Sequence, residues 1–217
     1  MSSTFPDCMK KIVQRILILA CISIAHTGFS QLLEQTFSSS TVVSDYVSAT
    51  PSAGQWNAIS TSGSGTVLSI NTTGGNKLRF ARSANAGAMS RTTDFAPVPS
   101  SMMMRFDLTV SGNAAAQTSA ATFQIGSGFG TANSDEANAS THSRIGINWT
   151  ATAGQFSIRN LSAGTNSAVY SGTQTVLWVI NNSGTALTYK APDGTFESVA
   201  IDAYDIWIGT TREINDG

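Results

Sequence analysis

The sequence predicts an all-β protein, folded as a two-layer antiparallel sandwich behind an N-terminal export leader. Three observations carry that expectation. From Gln31 onward, apolar residues recur in short runs with a period of two, and no helical period is sustained. Clusters of Gly, Asn, Ser and Thr separate those runs at short intervals, as tight turns between strands require. Hydrophobic residues make up 41% of the 217 and charged ones only 12%, which suits a chain that buries a core rather than a solvated helix.

The leader comes first. Met9-Lys10-Lys11 and Arg15 precede the apolar run Ile16 to Ala25, and His26 to Ser30 then leads to Gln31. A basic segment, an apolar segment and small residues ahead of a cleavage point are the three parts of a secretory signal peptide. Residues 1–30 are therefore expected to form a signal-peptide helix, cut after Ser30, with the segment before Met9 a doubtful extension of the reading frame. Ile18-Leu19-Ala20-Cys21 also resembles a lipidation box, but only about five apolar residues separate Arg15 from Cys21, a short run for that purpose. Both cysteines, Cys8 and Cys21, lie in this segment, so the mature chain 31–217 would carry no thiol and no disulfide. No later run approaches the roughly 20 apolar residues of a membrane span. The expected location is outside the cell or on its surface, with no membrane segment after cleavage.

Charge excludes one class of partner. Twelve Lys+Arg stand against 13 Asp+Glu, so the basic surplus that phosphate neutralisation needs is missing and no nucleic-acid partner is expected.

The clearest strand is Met102 to Val110. Met102, Met104, Phe106, Leu108 and Val110 point one way, and Met103, Arg105, Asp107 and Thr109 the other. Before it, Val67 to Ile70 and Lys77 to Phe80 bracket the turn Asn71 to Asn76, and Met89 to Phe95 adds another strand. After it comes Thr122 to Gly126. Ile145, Ile147 and Trp149 then share a face, and Phe156 and Ile158 follow a turn at residues 150–154, which predicts a hairpin. Val176 to Ile180 and Ala186 to Lys190 flank Asn181 to Thr185, and this pattern predicts a second hairpin. Pro192-Asp193-Gly194 turns the chain into Phe196 to Ile201, and Tyr204 to Gly209 follows. Gly112 to Ala121 and Phe129 to Thr141 are expected to be surface loops. Asn215-Asp216-Gly217 reads as a turn with no strand after it, so further strands or another domain are expected beyond Gly217.

The run Val176 to Gly184, then Tyr189, Pro192-Asp193-Gly194 and Tyr204 to Gly209, resembles the later strands of concanavalin A-like jelly-roll modules of secreted bacterial proteins. The resemblance covers residues 32–214, and its motifs are structural. It implies a jelly-roll form of the sandwich and a carbohydrate ligand, since lectins, laminin G-like modules, glucanases and polysaccharide lyases share this architecture. The glucanase branch carries two glutamates and an aspartate alternating on one strand, a pattern missing from this sequence.

Glycoside hydrolysis needs two carboxyl groups across the scissile bond. Glu34, Glu136, Glu197 and Glu213 are spread out, and Asp135 and Glu136 would diverge on a strand, so no catalytic residue is assigned. His142, within the polar stretch Ser140 to Ser143, is the single histidine after the leader and reads as a solvated loop residue. No metal site or cofactor is assigned. Asp202 and Asp205 offer oxygen ligands to calcium, but they flank a predicted turn at a spacing that matches no calcium loop, and turn capping is the reading preferred for them.

Binding asks for less: a ring for the apolar face of a sugar, with Asn, Asp or Arg for its hydroxyls. Trp56 is flanked by polar residues and is the candidate ring, whereas Trp178 and Trp207 lie in apolar strands and read as core. Arg105, Asp107, Arg144 and Asn148 are the candidate polar contacts, and Arg105 and Asp107 alternatively read as a surface ion pair. The sequence thus points to a secreted, non-catalytic module for binding a polysaccharide or cell-surface glycan, or for adhesion. A polysaccharide hydrolase or lyase, and a structural spacer, are the alternatives.

Overall fold

The computed structural model describes residues 31–62, 67–82 and 86–217, so the expected leader, both cysteines and the lipidation box lie outside the described residues. Residues 35–217 form one compact unit, which is almost entirely antiparallel β-structure. Its helical segments are single 3-10 turns at Val43–Tyr46 and Asn138–Ser140. The strands are β1 (Ala58–Thr61), β2 (Leu68–Asn71), β3 (Lys77–Phe80), β4 (Gly87–Ser90), β5 (Ser101–Thr109), β6 (Gln117–Gly126) and β7 (Thr141–Trp149). They continue with β8 (Gln155–Asn160), β9 (Tyr170–Ser171), β10 (Thr173–Asn181), β11 (Leu187–Lys190), β12 (Phe196–Val199), β13 (Ala203–Ile208) and β14 (Thr211–Ile214).

Two four-stranded sheets form the body, one ordered β14-β13-β10-β5 and the other β6-β7-β8-β9. Every second residue of each enters one shared core. Ile145, Ile147, Phe156 and Ile158 come from the second sheet, and Val176, Trp178, Ile180, Tyr204, Ile206 and Ile208 from the first. Phe106 of β5 stacks on Phe123 of β6, with ring centroids 5.0 Å apart, and so joins the two layers. Each fully buried branched side chain contributes about 1.5–3 kcal/mol by leaving water.

β5 follows the predicted alternation. Met103, Arg105, Asp107 and Thr109 are exposed while Met104, Phe106 and Leu108 pack on the core. The hairpins β2–β3 and β7–β8 pair in the expected order. The chain changes sheets between β9 and β10 at Gly172, whose φ of 69° is open to glycine at little cost.

Three local expectations give way to different structure. β10 pairs with β13 and β5, and β11 pairs with β12 instead of returning along β10. The loop 182–186 instead carries the chain onto the outer face of the first sheet. There the fully buried Asn181 amide donates to the carbonyls of Thr185 (2.8 Å) and Ala200 (2.9 Å). Tyr189, Ala191 and Val199 of the β11–β12 segment cover Val179, Ala203 and Trp207, making a third layer over that part of the face. The second difference is that Gln117 to Ala121 is strand, opening β6, with an irregularity opposite β7. The third is that Thr141 to Ser143, read as loop, begins β7.

Asp205 is also displaced from its expected role. It lies mid-strand in β13 and is fully buried beneath the third layer. Its carboxylate accepts from the Tyr189 hydroxyl, the Arg212 guanidinium (3.3 Å) and the Asp216 amide (3.0 Å). Trp207 Nε1 donates to the Tyr189 oxygen at 2.7 Å, and Arg212 pairs with Glu197 at 3.0 Å. Asp205 therefore organises buried hydrogen bonds between β11, β13 and β14 rather than capping a turn.

Candidate functional site

The five residues expected to bind ligand do not share a surface. Arg105 and Asp107 stand on the outer face of the first sheet, whereas Arg144 and Asn148 alternate with the inward Ile145 and Ile147 and so face outward from the second. The core lies between the pairs. Arg105 and Asp107 form no ion pair with each other, because Asp107 accepts from the Thr175 hydroxyl at 2.7 Å across the β5–β10 ladder. Trp56 is half-buried, stacked on Phe37 at 5.7 Å, and its backbone bridges to Val47. Asn148 is occupied on both ends of its amide: its oxygen accepts from Ser119 N at 2.8 Å and its nitrogen donates to Asn166 at 2.9 Å. Trp178 and Trp207 are buried as expected.

Two clefts lie at the opposite ends of β7. The first, about 320 Å³, is lined by Trp149, Arg82, Gln117 and the loop Gly112 to Ala116. Trp149 is the last residue of β7, half-buried where the sheet ends, so one part of its ring packs on the core and the rest borders the cleft. Arg82 is fixed by a bond from Nη1 to the Ala120 carbonyl at 2.6 Å. With the Gln117 amide turned so that its oxygen faces Arg82, it accepts from Nη2 and Nε, each at 3.2 Å. The loop is held from below by Asn113, which donates to the Thr150 (2.9 Å) and Thr152 (2.8 Å) carbonyls and accepts from Gly154 N at 2.7 Å. A ring, a guanidinium and an amide are thus presented on a braced frame.

The second cleft, about 400 Å³, opens at the start of β7. Asn138, Thr141, His142, Ser143 and Arg144 border it on one side, and Leu161 and Ser162 on the other. Gly146, two residues along, has no room for a side chain, because a Cβ there would lie 2.9 Å from Ser119 Oγ and 3.2 Å from Leu161 Cδ2. That close approach seats Leu161 beside the cleft.

Of the five expected residues, Arg144 borders one of these two clefts and the other four border neither. The sequence reading passed over Trp149 because it continues the apolar face of Ile145 and Ile147, and only its place at the strand end distinguishes it from a core ring. It passed over Arg82, Gln117 and Ser143 because they come together only through strand pairing. No family model, curated protein or solved structure matches this chain. What the fold and clefts define is an antiparallel β-sandwich with a hydrogen-bonding cleft at each end of one central strand.

Proposed function

We propose that the chain is a secreted, non-catalytic β-sandwich module that binds carbohydrate, on a cell surface or in adhesion, through the cleft at Trp149. The observation that carries this reading is the side-by-side placement of the Trp149 ring, the Arg82 guanidinium and the Gln117 amide. A pyranose offers an apolar face to a ring and a rim of hydroxyls to amide and guanidinium groups, so this set matches its surface. Binding on a braced frame loses little ordering entropy, and the Asn113 bonds supply that bracing. The Trp149 cleft is bordered by a ring, two amides and a cation, the groups that a neutral sugar surface engages. A jelly-roll form of the concanavalin A-like kind is the architecture proposed. It is supported by the two passages of the chain between sheets, from β5 to β6 and from β9 to β10.

Secretion rests on the leader at residues 1–30, and an exported protein whose first residue is Gln31 is the expected product. The binding test is retention of the purified chain on a panel of polysaccharides, followed by Trp149→Ala. The expected result is retention on at least one glycan, weakened tenfold or more in the variant. Retention on none, or release of sugar products by the chain, overturns the reading.

A further inference from the structure

The outer edges of the two large sheets are not alike. β9 is two residues long, and β14 is four residues long and pairs with β13 through an irregularity. β6 is interrupted at Ser119, whose φ is 49°, and its Ala120 carbonyl is taken by Arg82. β5 instead runs unbroken for nine residues, and among the described strands it is hydrogen-bonded to β10 alone. Short strands, bulges and occupied backbone groups guard sheet edges against pairing with another chain, and β5 has none of the three.

The ladder fixes which backbone groups of β5 are free. Asn182 N donates to the Ser100 carbonyl at 2.8 Å, in the register that pairs Asn181 with Ser101. Hydrogen-bonded pairs alternate along an antiparallel ladder, so even-numbered residues of β5 bond β10, while Met103, Arg105, Asp107 and Thr109 turn N–H and C=O outward. The bond from Gly209 N to the Thr175 carbonyl agrees, since it commits the odd-numbered residues of β10 to β13. On the core side, Met104, Phe106 and Leu108 of β5 and Phe123 and Ile125 of β6 are only half-buried, so the core is incompletely sealed along this edge.

We propose that β5 pairs with β5 of a second copy, antiparallel about a two-fold axis at Phe106, joining two four-stranded sheets into one continuous sheet. That register sets Arg105 opposite Asp107 of the second copy, and Asp107 opposite Arg105 of the second copy. Arg105 is available for this, because the ion pairs among the described residues are those of Arg212. Asp107 gives one carboxylate oxygen to the Thr175 hydroxyl and keeps the other. Met103, 37% exposed, comes to lie opposite Thr109. With the axis at Arg105 instead, arginine would face arginine, and with the axis at Asp107, aspartate would face aspartate. Like charges directly opposite are unfavourable, so charge selects one register of self-pairing. Both copies use the same edge, and the assembly therefore closes at two.

Sedimentation equilibrium of the purified chain should show monomer and dimer in exchange. Arg105→Asp sets carboxylates against carboxylates, and Asp107→Arg sets guanidinium groups against one another, so each variant alone should dimerise tenfold or more less tightly. Mixed together, the two variants should pair with each other at near wild-type strength, because each brings the charge that the other lacks. The double variant, carrying both substitutions, should regain self-pairing for the same reason. A chain that stays monomeric up to about 0.1 mM, a dimer that both single variants leave intact, or single variants that fail to pair when mixed overturns the assignment. None of these outcomes depends on sugar binding at Trp149.

Discussion

The Tyr189 hydroxyl donates to the carboxylate of Asp205, and both groups are buried where the β11–β12 segment lies on β13. A charge placed there is tolerated because three donors from separate parts of the chain converge on it. Asp205→Ala would leave the Tyr189 hydroxyl and the Asp216 amide without their acceptor and Arg212 with Glu197 alone, and about 3 kcal/mol should be lost. Tyr189→Phe removes one donor and should cost about 1.5–3 kcal/mol. Urea unfolding reads both, as lower midpoints with an unchanged slope.

Alkaline pH should act through the phenols. Burial, then the bond to Asp205, raises Tyr189 above its ordinary 10.0. Burial, then the bond to Glu213, pushes Tyr170 up to about 12. Groups with raised native values stay protonated in the fold while the unfolded chain begins to ionise near pH 10, so the unfolded state sheds protons first. Stability from these residues should therefore be complete below about pH 10 and decline as pH rises from there through about 12. Urea midpoints at about pH 9 and about pH 11 should differ less in Tyr189→Phe than in the wild type. An identical difference in both would contradict the assignment.

Glu213 ties the two layers together at one edge. From β14 it accepts from the Tyr170 hydroxyl of β9 and from Ala168 N at 2.8 Å. Glu213→Ala should cost about 1.5–3 kcal/mol and speed amide exchange in residues 168–171 ahead of the core strands. Uniform acceleration across the whole chain would show that the edge does not open locally.

Tyr204→Phe is expected to behave in the opposite sense. The Tyr204 hydroxyl is buried without a partner, so its removal relieves an unmet desolvation cost, and the variant should be as stable as the wild type or more stable by about 1 kcal/mol. A loss above about 1 kcal/mol, read by thermal or urea unfolding, would show that a bound water or ligand serves that hydroxyl.

Strand existence was legible wherever burial is one-sided. Met102 to Val110 alternates because its partners are the core on one side and water on the other, and the structure follows that period residue by residue. Trp178 and Trp207 were legible as core from their apolar neighbours. Pairing was not. Val176 to Ile180 and Ala186 to Lys190 look like a hairpin locally, yet β10 finds better partners in β5 and β13, and no local pattern encodes a choice made across such separations. Asp205 was misread for the same reason, since Tyr189 and Arg212 are distant in sequence and the residue alone resembles a turn former. The candidate site fared similarly: polar residues on exposed strand faces were identified, but which of them line a concavity depends on where strands end. Arg144 sits at such an end, and Arg105 and Asp107 sit on an open face.

The layer of β11 and β12 also sets how the molecule can open. Lifting it from β13 would break the Tyr189–Asp205 bond and the Arg212–Glu197 pair and bare Trp207 and Val179 together, so this small segment is bound to the body by a penalty out of proportion to its size. Amide protons of β13 should consequently exchange only when the whole unit unravels, and a protease should find no early nick between Leu187 and Val199.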